Sequence, residues 1–258
     1  MYNIVNKEDL RPDDWGFKVD YATEESLAWQ AAVASFIRDE ESRLPWKHLI
    51  AQNFSNFKAP LASVPDDVSI INFHYNWPET AWWNYHFNRV IGFDESGFAG
   101  SGDVVYRRQA WRFLFSGGGL FNNLDYSFFT GYEDGTLKNS APGGGSVGLR
   151  RQLRVLSEFI HRLDLQDMKP DQDCIIKAPG MLPYVLSDGE GECAMFIQAV
   201  NIAEGELTLK LPDGEYQYHV LSTLNGETVS VSTLSVKGNR AVIPVRFVEG
   251  EIAIRLTK

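Results

Sequence analysis

Short apolar runs alternate with helix-like patterns through the first two thirds of the chain. The predicted strands cover residues 1–6, 49–51, 68–73, 89–93 and 120–124, and polar side chains follow each of them. Between them, apolar residues recur at helical spacing near residues 24–44, 82–87, 106–115 and 149–163. Such alternation of strand and helix is typical of βα units on a parallel sheet, with the polar residues collected at the carboxyl ends of the strands.

The pattern changes near residue 170, where helix-like spacing gives way to short β-rich runs. The predicted strands of this region cover residues 174–177, 193–200, 206–211, 216–221, 228–231, 241–247 and 252–256. Turn-forming sequences such as Pro212-Asp-Gly214 and Leu224-Asn-Gly226 separate them. About seven short strands at this spacing predict an antiparallel β-sandwich. We therefore expect an α/β domain at residues 1–169 and an all-β domain at residues 170–258.

The strongest chemical signal is the pair of acids that ends the run at residues 89–93. Asp94 and Glu95 follow this run directly, and Ser96-Gly97 breaks the strand. Because successive strand side chains point to opposite faces, we expect the two carboxylates to have separate roles. An acid at the carboxyl end of a parallel strand is where α/β barrels place catalytic groups. The structural alternative is an acid that caps the next helix or pairs with an arginine such as Arg107.

Composition narrows the range of functions. The 258 residues carry a net charge of −10, which argues against nucleic acid as a partner. Aromatic residues make up 13% of the chain, including seven Trp, and such rings can serve as platforms for sugars or fill the hydrophobic core.

No apolar run approaches the roughly 18 residues of a membrane-spanning helix, and no signal peptide is visible, which leaves the localisation open. No histidine or cysteine spacing indicates a metal, and no serine-hydrolase elbow appears.

Four motifs occur in an order that resembles a known enzyme family. They are His48-Leu-Ile-Ala-Gln-Asn53, Val68-Ser-Ile-Ile-Asn-Phe-His-Tyr75, Phe93-Asp-Glu-Ser-Gly97 and Asn123-Leu-Asp-Tyr-Ser-Phe128. The set resembles the second half of the cellulase-like, apiosidase-like (β/α)8 retaining glycoside hydrolases, whose barrels are often followed by a similar β-sandwich. The resemblance implies a partial (β/α)8 barrel, strands four to eight, followed by the sandwich. These five strands would end near Asn6, Asn53, His74, Glu95 and Asp125.

The resemblance also implies a site, a substrate class and a mechanism. Glu95 corresponds to the nucleophile of a two-carboxylate glycosidase that acts on oligo- or polysaccharides without a cofactor or metal. His74 or Tyr75, at the end of the preceding strand, would donate hydrogen bonds to it. Asn6, Asn53, Trp77 and Tyr126 would contribute to sugar binding, although Trp77, Tyr126 and His74 also suit structural packing.

Two features depart from the family pattern. Where the family has an Asn-Glu pair whose Glu is the acid/base, this sequence reads Asn6-Lys7-Glu8, so that either Lys7 replaces the acid or Glu8 takes its place through a bulge. In addition, no residues correspond to strands one to three. We expect either a fragment with little activity alone, a barrel completed by another polypeptide or by self-association, or an open sheet. A non-catalytic carbohydrate-binding or assembly protein is the alternative function.

Overall fold

The computed structural model describes residues 24–55, 60–97, 99–138 and 143–258. The predicted first strand, with Asn6, Lys7 and Glu8, lies outside these residues. No helix in the described ranges is long and apolar enough to span a membrane.

A four-stranded parallel sheet forms the first part of the described chain. Its strands, in the order β1-β2-β3-β4, are β1 (Ala51–Ser55), β2 (Ile70–His74), β3 (Val90–Glu95) and β4 (Leu120–Phe121). The helices are α1 (Glu24–Glu41), α2 (Thr80–Asn84), α3 (Asp103–Phe115) and α4 (Val147–Ile160). Each strand lies beside the next one in sequence, as in a segment of a (β/α)8 barrel. The predicted α/β architecture is confirmed.

One face of the parallel sheet packs against helices through a layer of aromatic side chains. Phe54, Phe73 and Phe93 lie at the same register on three adjacent strands, and each is at most 2% exposed. The Phe93 ring meets the Phe113 ring of α3 edge-on, with the ring centroids 5.5 Å apart. Burial of these rings is the main apolar contribution to the stability of this layer.

Two antiparallel sheets follow and pack face to face. A six-stranded sheet has the order β11-β10-β13-β8-β7-β5, and a three-stranded sheet has the order β12-β9-β6. The strands are β5 (Lys169–Pro170), β6 (Ile175–Lys177), β7 (Met181–Ser187), β8 (Glu192–Ala199), β9 (Glu204–Leu209), β10 (Gly214–Leu221), β11 (Thr228–Val236), β12 (Ala241–Arg246) and β13 (Glu251–Thr257). Alternate residues of these strands fill one apolar core between the sheets. The predicted β-sandwich is confirmed.

The six-stranded sheet is buried on its other face as well, against α3 and α4. On β8, Met195 and Ile197 point into the sandwich core, whereas Phe196 points towards the helices. The Phe196 ring stacks on Trp111 of α3, with centroids 5.5 Å apart, and Phe159 of α4 meets the same indole at 5.4 Å. The helices α3 and α4 and the six-stranded sheet therefore pack together through an aromatic interface made by Trp111, Phe159 and Phe196.

A buried ion cluster also connects α3 with the six-stranded sheet. Glu251 of β13 is fully buried and accepts hydrogen bonds from Arg107 Nε at 2.7 Å, Arg108 Nε at 2.6 Å and the Thr223 hydroxyl at 2.5 Å. Burial alone would raise the pKa of Glu251, but these hydrogen bonds outweigh it and lower the pKa. Arg107 thus pairs with the sandwich and not with the acids that end β3, so the pairing considered from the sequence is wrong.

Some predicted boundaries are displaced. The residues expected as a strand at 49–51 lie mostly before β1, and Leu49 is 73% exposed. β4 is shorter than the predicted run at 120–124, and β7, which contains Pro183, was not predicted. Cys174 and Cys193 are both buried free thiols.

Candidate active site

The site is built where β2 and β3 end side by side. Because the strands are parallel, their carboxyl ends meet at the same edge of the sheet. β2 ends at His74, which is 5% exposed, and β3 ends at Glu95, whose side chain is 27% exposed. The structure therefore brings together three residues predicted for the site, namely His74, Tyr75 and Glu95.

A bulge in β3 determines how the two acids are presented. Phe73 pairs with Phe93, but His74 pairs with Glu95, so Asp94 is an extra residue without an opposite partner. A bulge re-aims the side chains next to it, and such bulges are common beside active sites. As a result both acids contact the His74 ring: Asp94 Oδ1 lies 2.5 Å from Nε2, and Glu95 Oε2 lies 2.9 Å from Nδ1. The expectation of separate roles on opposite faces assumed an unbroken strand and is corrected here.

The hydroxyl of Tyr75 donates a hydrogen bond to Oε1 of Glu95. Tyr75 has a φ of 49°, in the left-handed region, which a non-glycine residue adopts only at a cost in free energy. Burial and this hydrogen bond raise the pKa of Tyr75, and the nearby Tyr126 adds a smaller effect in the same direction. Tyr75 therefore stays protonated around neutral pH and remains a hydrogen-bond donor to the carboxylate.

The protonation of His74 is coupled to both acids. Burial lowers the pKa of His74, whereas the carboxylates of Asp94 and Glu95 act in the opposite direction. A neutral imidazole carries a single N–H, but both ring nitrogens face carboxylate oxygens. Both contacts are hydrogen bonds only when the three groups together hold two protons.

A row of polar residues crosses the same face of the sheet below the site. Asn53, Asn72 and Gly92 are direct neighbours in the register of β1, β2 and β3. The Asn72 amide donates to Asn53 Oδ1 at 2.9 Å, and a Cβ at Gly92 would approach Asn72 Oδ1 to 2.5 Å. The glycine leaves the space that the Asn72 side chain occupies. Asn53 is thus placed on the face of the site, opposite Asn72 and two residues before the position that pairs with His74.

The other predicted residues lie at different points around this edge. Tyr126 is half-buried against Gly143, and its backbone N–H donates to Gly144 O at 3.0 Å. Trp77 is 47% exposed and lies 6.3 Å from the Trp83 ring, in a cleft beside α3. Asn6 and Glu8 lie outside the described residues. Among the described residues, no group of three or more His, Cys, Asp or Glu side chains could hold a metal ion.

Asp94 was not predicted as a partner of His74, and neither Asn72 nor Gly92 was predicted as part of the site. A buried asparagine inside the apolar run at residues 68–73 was a usable signal, because an uncompensated polar group in a buried strand is costly. The bulge had no comparable signal, since it depends on how β3 pairs with β2.

No protein-family model and no curated protein matches the sequence. Solved structures do match. A glycoside hydrolase family 5 protein from Bacteroides vulgatus has a TM-score of 0.63 at 12% identity, over 93% of this chain and 60% of that chain. A second glycoside hydrolase has a TM-score of 0.56 at 11% identity, over 90% of this chain and 69% of that chain.

The catalytic domain of the family 30 xylanase C from Talaromyces cellulolyticus has a TM-score of 0.52 at 11% identity, covering 89% of this chain and 57% of that chain. The chain thus spans about 60% of the length of the family 5 structure. Over most of its length, the chain shares the fold of glycoside hydrolases, a parallel α/β sheet that forms part of a barrel and is followed by an antiparallel β-sandwich.

Proposed function

We propose that this protein is a retaining glycoside hydrolase in which Glu95 is the nucleophile. The observation that carries the proposal is the placement of Glu95 at the carboxyl end of a parallel strand, with its two oxygens contacted by Tyr75 and His74. A hydrogen bond donated to a carboxylate stabilises its negative charge and fixes its orientation. Both effects suit a group that must attack a carbon from one direction.

The reaction proceeds in two steps. Glu95 attacks the anomeric carbon while a second carboxylic acid, about 5–5.5 Å away, protonates the leaving oxygen. The same second group then removes a proton from water, which displaces Glu95 from the sugar. When Glu95 leaves, its negative charge returns, and the Tyr75 hydroxyl is already in place to stabilise that charge.

The remaining roles follow the resemblance and are part of the proposal. Glu8 is the candidate acid/base, and Asn6, Asn53, Trp77 and Tyr126 are candidate sugar-binding residues. The substrate is an oligo- or polysaccharide. Xylan is the first to test, because one of the similar structures is a xylanase.

The test is covalent trapping in the full-length protein. A 2-deoxy-2-fluoro-xyloside with a good leaving group should form a stable glycosyl-enzyme, and mass spectrometry of the digested protein should find the label on Glu95. Glu95→Gln should abolish both labelling and hydrolysis of xylan and of an aryl xyloside, whereas Glu158→Gln on exposed α4 surface should change neither. Labelling of another carboxylate would overturn the assignment.

A second candidate, an assembly role, has its own observation. α1 lies against β1, where Asn53 N donates to Gln30 Oε1 at 3.3 Å, and β1 pairs with β2 alone among the described strands. On α1 and shortly after it, three large apolar side chains are each more than 60% exposed, namely Trp29, Phe36 and Trp46. Large exposed apolar side chains favour association with a second copy of the chain. Sedimentation equilibrium should then show a dimer that Trp29→Lys weakens, and a monomer at all concentrations would contradict this role.

A further inference from the structure

The two cysteines of the chain meet in the core of the β-sandwich. Cys174 and Cys193 are 5% and 1% exposed, and both side chains belong to the apolar core between the two antiparallel sheets. Cys174 ends the short helical turn that precedes β6 of the three-stranded sheet, whereas Cys193 lies on β8 of the six-stranded sheet. The pair therefore spans the interface between the two sheets.

Backbone hydrogen bonds fix the position of each cysteine. Cys174 O accepts from Lys210 N, directly after β9, at 2.6 Å, and Cys174 N donates to Asp171 Oδ1 at 3.1 Å. Cys193 lies between β7 and β13 and is paired in register with both strands. The proximity of the two residues is therefore a property of the fold.

The two thiols are in contact. The Cys174 thiol donates to Asp171 O at 3.0 Å, and its sulfur accepts a hydrogen bond from the Cys193 thiol. This hydrogen bond and burial raise the pKa of Cys193. Cysteines whose side chains point apart cannot be bridged without backbone movement, whereas these two side chains point into one core and touch. Neither sulfur takes part in the proposed hydrolysis.

We propose that Cys174 and Cys193 form a disulfide bond that links the two sheets of the sandwich, and that the bond forms during folding by exchange with a small disulfide such as oxidised glutathione. One cysteine thiolate attacks the glutathione disulfide, forms a mixed disulfide and releases one glutathione. The second thiolate attacks the protein sulfur of the mixed disulfide, closes the S–S bond and releases the second glutathione. The two protein thiols are oxidised, the glutathione disulfide is reduced, and the two protons end on the released glutathione thiols.

The burial of both thiols determines when this exchange takes place. In the folded chain the raised pKa of Cys193 leaves little of the thiolate, which is the reactive form. In the unfolded chain both thiols are open to glutathione, so the exchange precedes the closure of the two sheets over them. The bond would close a loop of about 20 residues. A loop closed in this way restricts the unfolded chain and thereby stabilises the folded one.

The test is refolding of the full-length protein from denaturant in a mixture of reduced and oxidised glutathione. The refolded protein is then denatured, treated with iodoacetamide without reductant, digested and mapped by mass spectrometry. Cys174 and Cys193 should carry no alkyl group, and their peptides should stay joined until a reductant is added. The melting temperature should lie about 5–10 °C above that of the same protein refolded in dithiothreitol.

Cys174→Ala is the matched control, because it leaves Cys193 without a partner in its own chain. This variant should melt at the same temperature after refolding with glutathione and with dithiothreitol. If the chain does not refold from denaturant, it is secreted into the bacterial periplasm, where disulfides form during folding, and is mapped in the same way.

Two alkylated cysteines in the folded protein would overturn the proposal. Glutathione on one cysteine beside a free thiol on the other would overturn it as well, as would a disulfide between two chains. A rise in melting temperature that persists in Cys174→Ala would contradict the stabilising link between the sheets. These outcomes are independent of the nucleophile assignment, because covalent trapping tests Glu95 separately.

Discussion

The hydroxyl of Tyr75 donates a hydrogen bond to Oε1 of Glu95 and so connects the ends of two neighbouring parallel strands. Tyr75 reaches this position because its backbone adopts a φ of 49° immediately after β2. A non-glycine residue in this region costs about 1–3 kcal/mol, and such strain is often found at functional sites. The contact therefore gives the carboxylate a fixed orientation at a measurable cost to folding.

Tyr75→Phe removes this donor and leaves the ring in place. In the full-length protein we expect kcat/KM on an aryl glycoside to fall about tenfold to a hundredfold, because a hydrogen bond to a charged group contributes about 1.5–3 kcal/mol. Tyr132→Phe, at a ring that is 45% exposed, is the control and should retain full activity. An unchanged kcat/KM in Tyr75→Phe would show that the donor has no part in catalysis.

Gly92→Ala should destabilise the protein through a single contact. The added Cβ would lie 2.5 Å from Asn72 Oδ1, and the Asn72 side chain is held by its hydrogen bond to Asn53. We expect a loss of about 1–3 kcal/mol in the free energy of unfolding, measured by chemical denaturation. Asn72→Ala in the same chain should restore part of it, with a coupling energy of about 1 kcal/mol. Strictly additive effects of the two substitutions would contradict the proposed clash.

Trp111 should tolerate phenylalanine far better than alanine. The indole is fully buried between Phe196 and Phe159, but its Nε1–H has no hydrogen-bond partner in the described structure. Trp111→Phe should cost less than about 1.5 kcal/mol, because the loss of volume is partly offset by removal of the unsatisfied donor. Trp111→Ala should cost about 4 kcal/mol through the cavity that it leaves. Similar losses for both variants would contradict this account.

Glu251→Gln tests the buried ion cluster that Glu251 forms with Arg107 and Arg108. Removing one partner of a buried ion pair leaves Arg107 and Arg108 without their counter-charge, and we expect a loss of about 3 kcal/mol at pH 7. Glu158→Gln, in an exposed pair with Arg154, is the control and should cost less than about 0.5 kcal/mol.

The contribution of Glu251 to the free energy of unfolding should also depend on pH. The pKa of Glu251 is lower in the folded protein than its ordinary value of 4.5, so unfolding takes up a proton in acid. The stabilisation is fully present above pH 4.5 and is lost as the pH falls through the lower folded pKa. The difference in unfolding free energy between wild type and Glu251→Gln should therefore shrink below pH 4.5. A constant difference down to acid unfolding would contradict the assignment.

Local patterns in the sequence were sufficient for the order and type of most elements. The run at residues 89–93 became β3, the helical spacing at 149–163 became α4, and the change near residue 170 marked the start of the antiparallel strands. These features depend on hydrophobic periodicity, which each segment carries by itself. β7 was not predicted because Pro183 interrupts that pattern, and only pairing with β5 and β8 defines it as a strand.

The sequence by itself therefore determined a parallel α/β sheet, a following β-sandwich and a carboxylate at the end of a buried strand. Only the tertiary structure decided that Asp94 and Glu95 share His74, that Arg107 turns to Glu251, and that Gln198 of the sandwich lines a cleft with Trp77. The physical reason is the separation along the sequence between the residues that determine each feature. Periodicity acts within one segment, whereas a bulge, a buried ion pair and a cleft between distant segments arise only when segments far apart in sequence fix each other's register and burial.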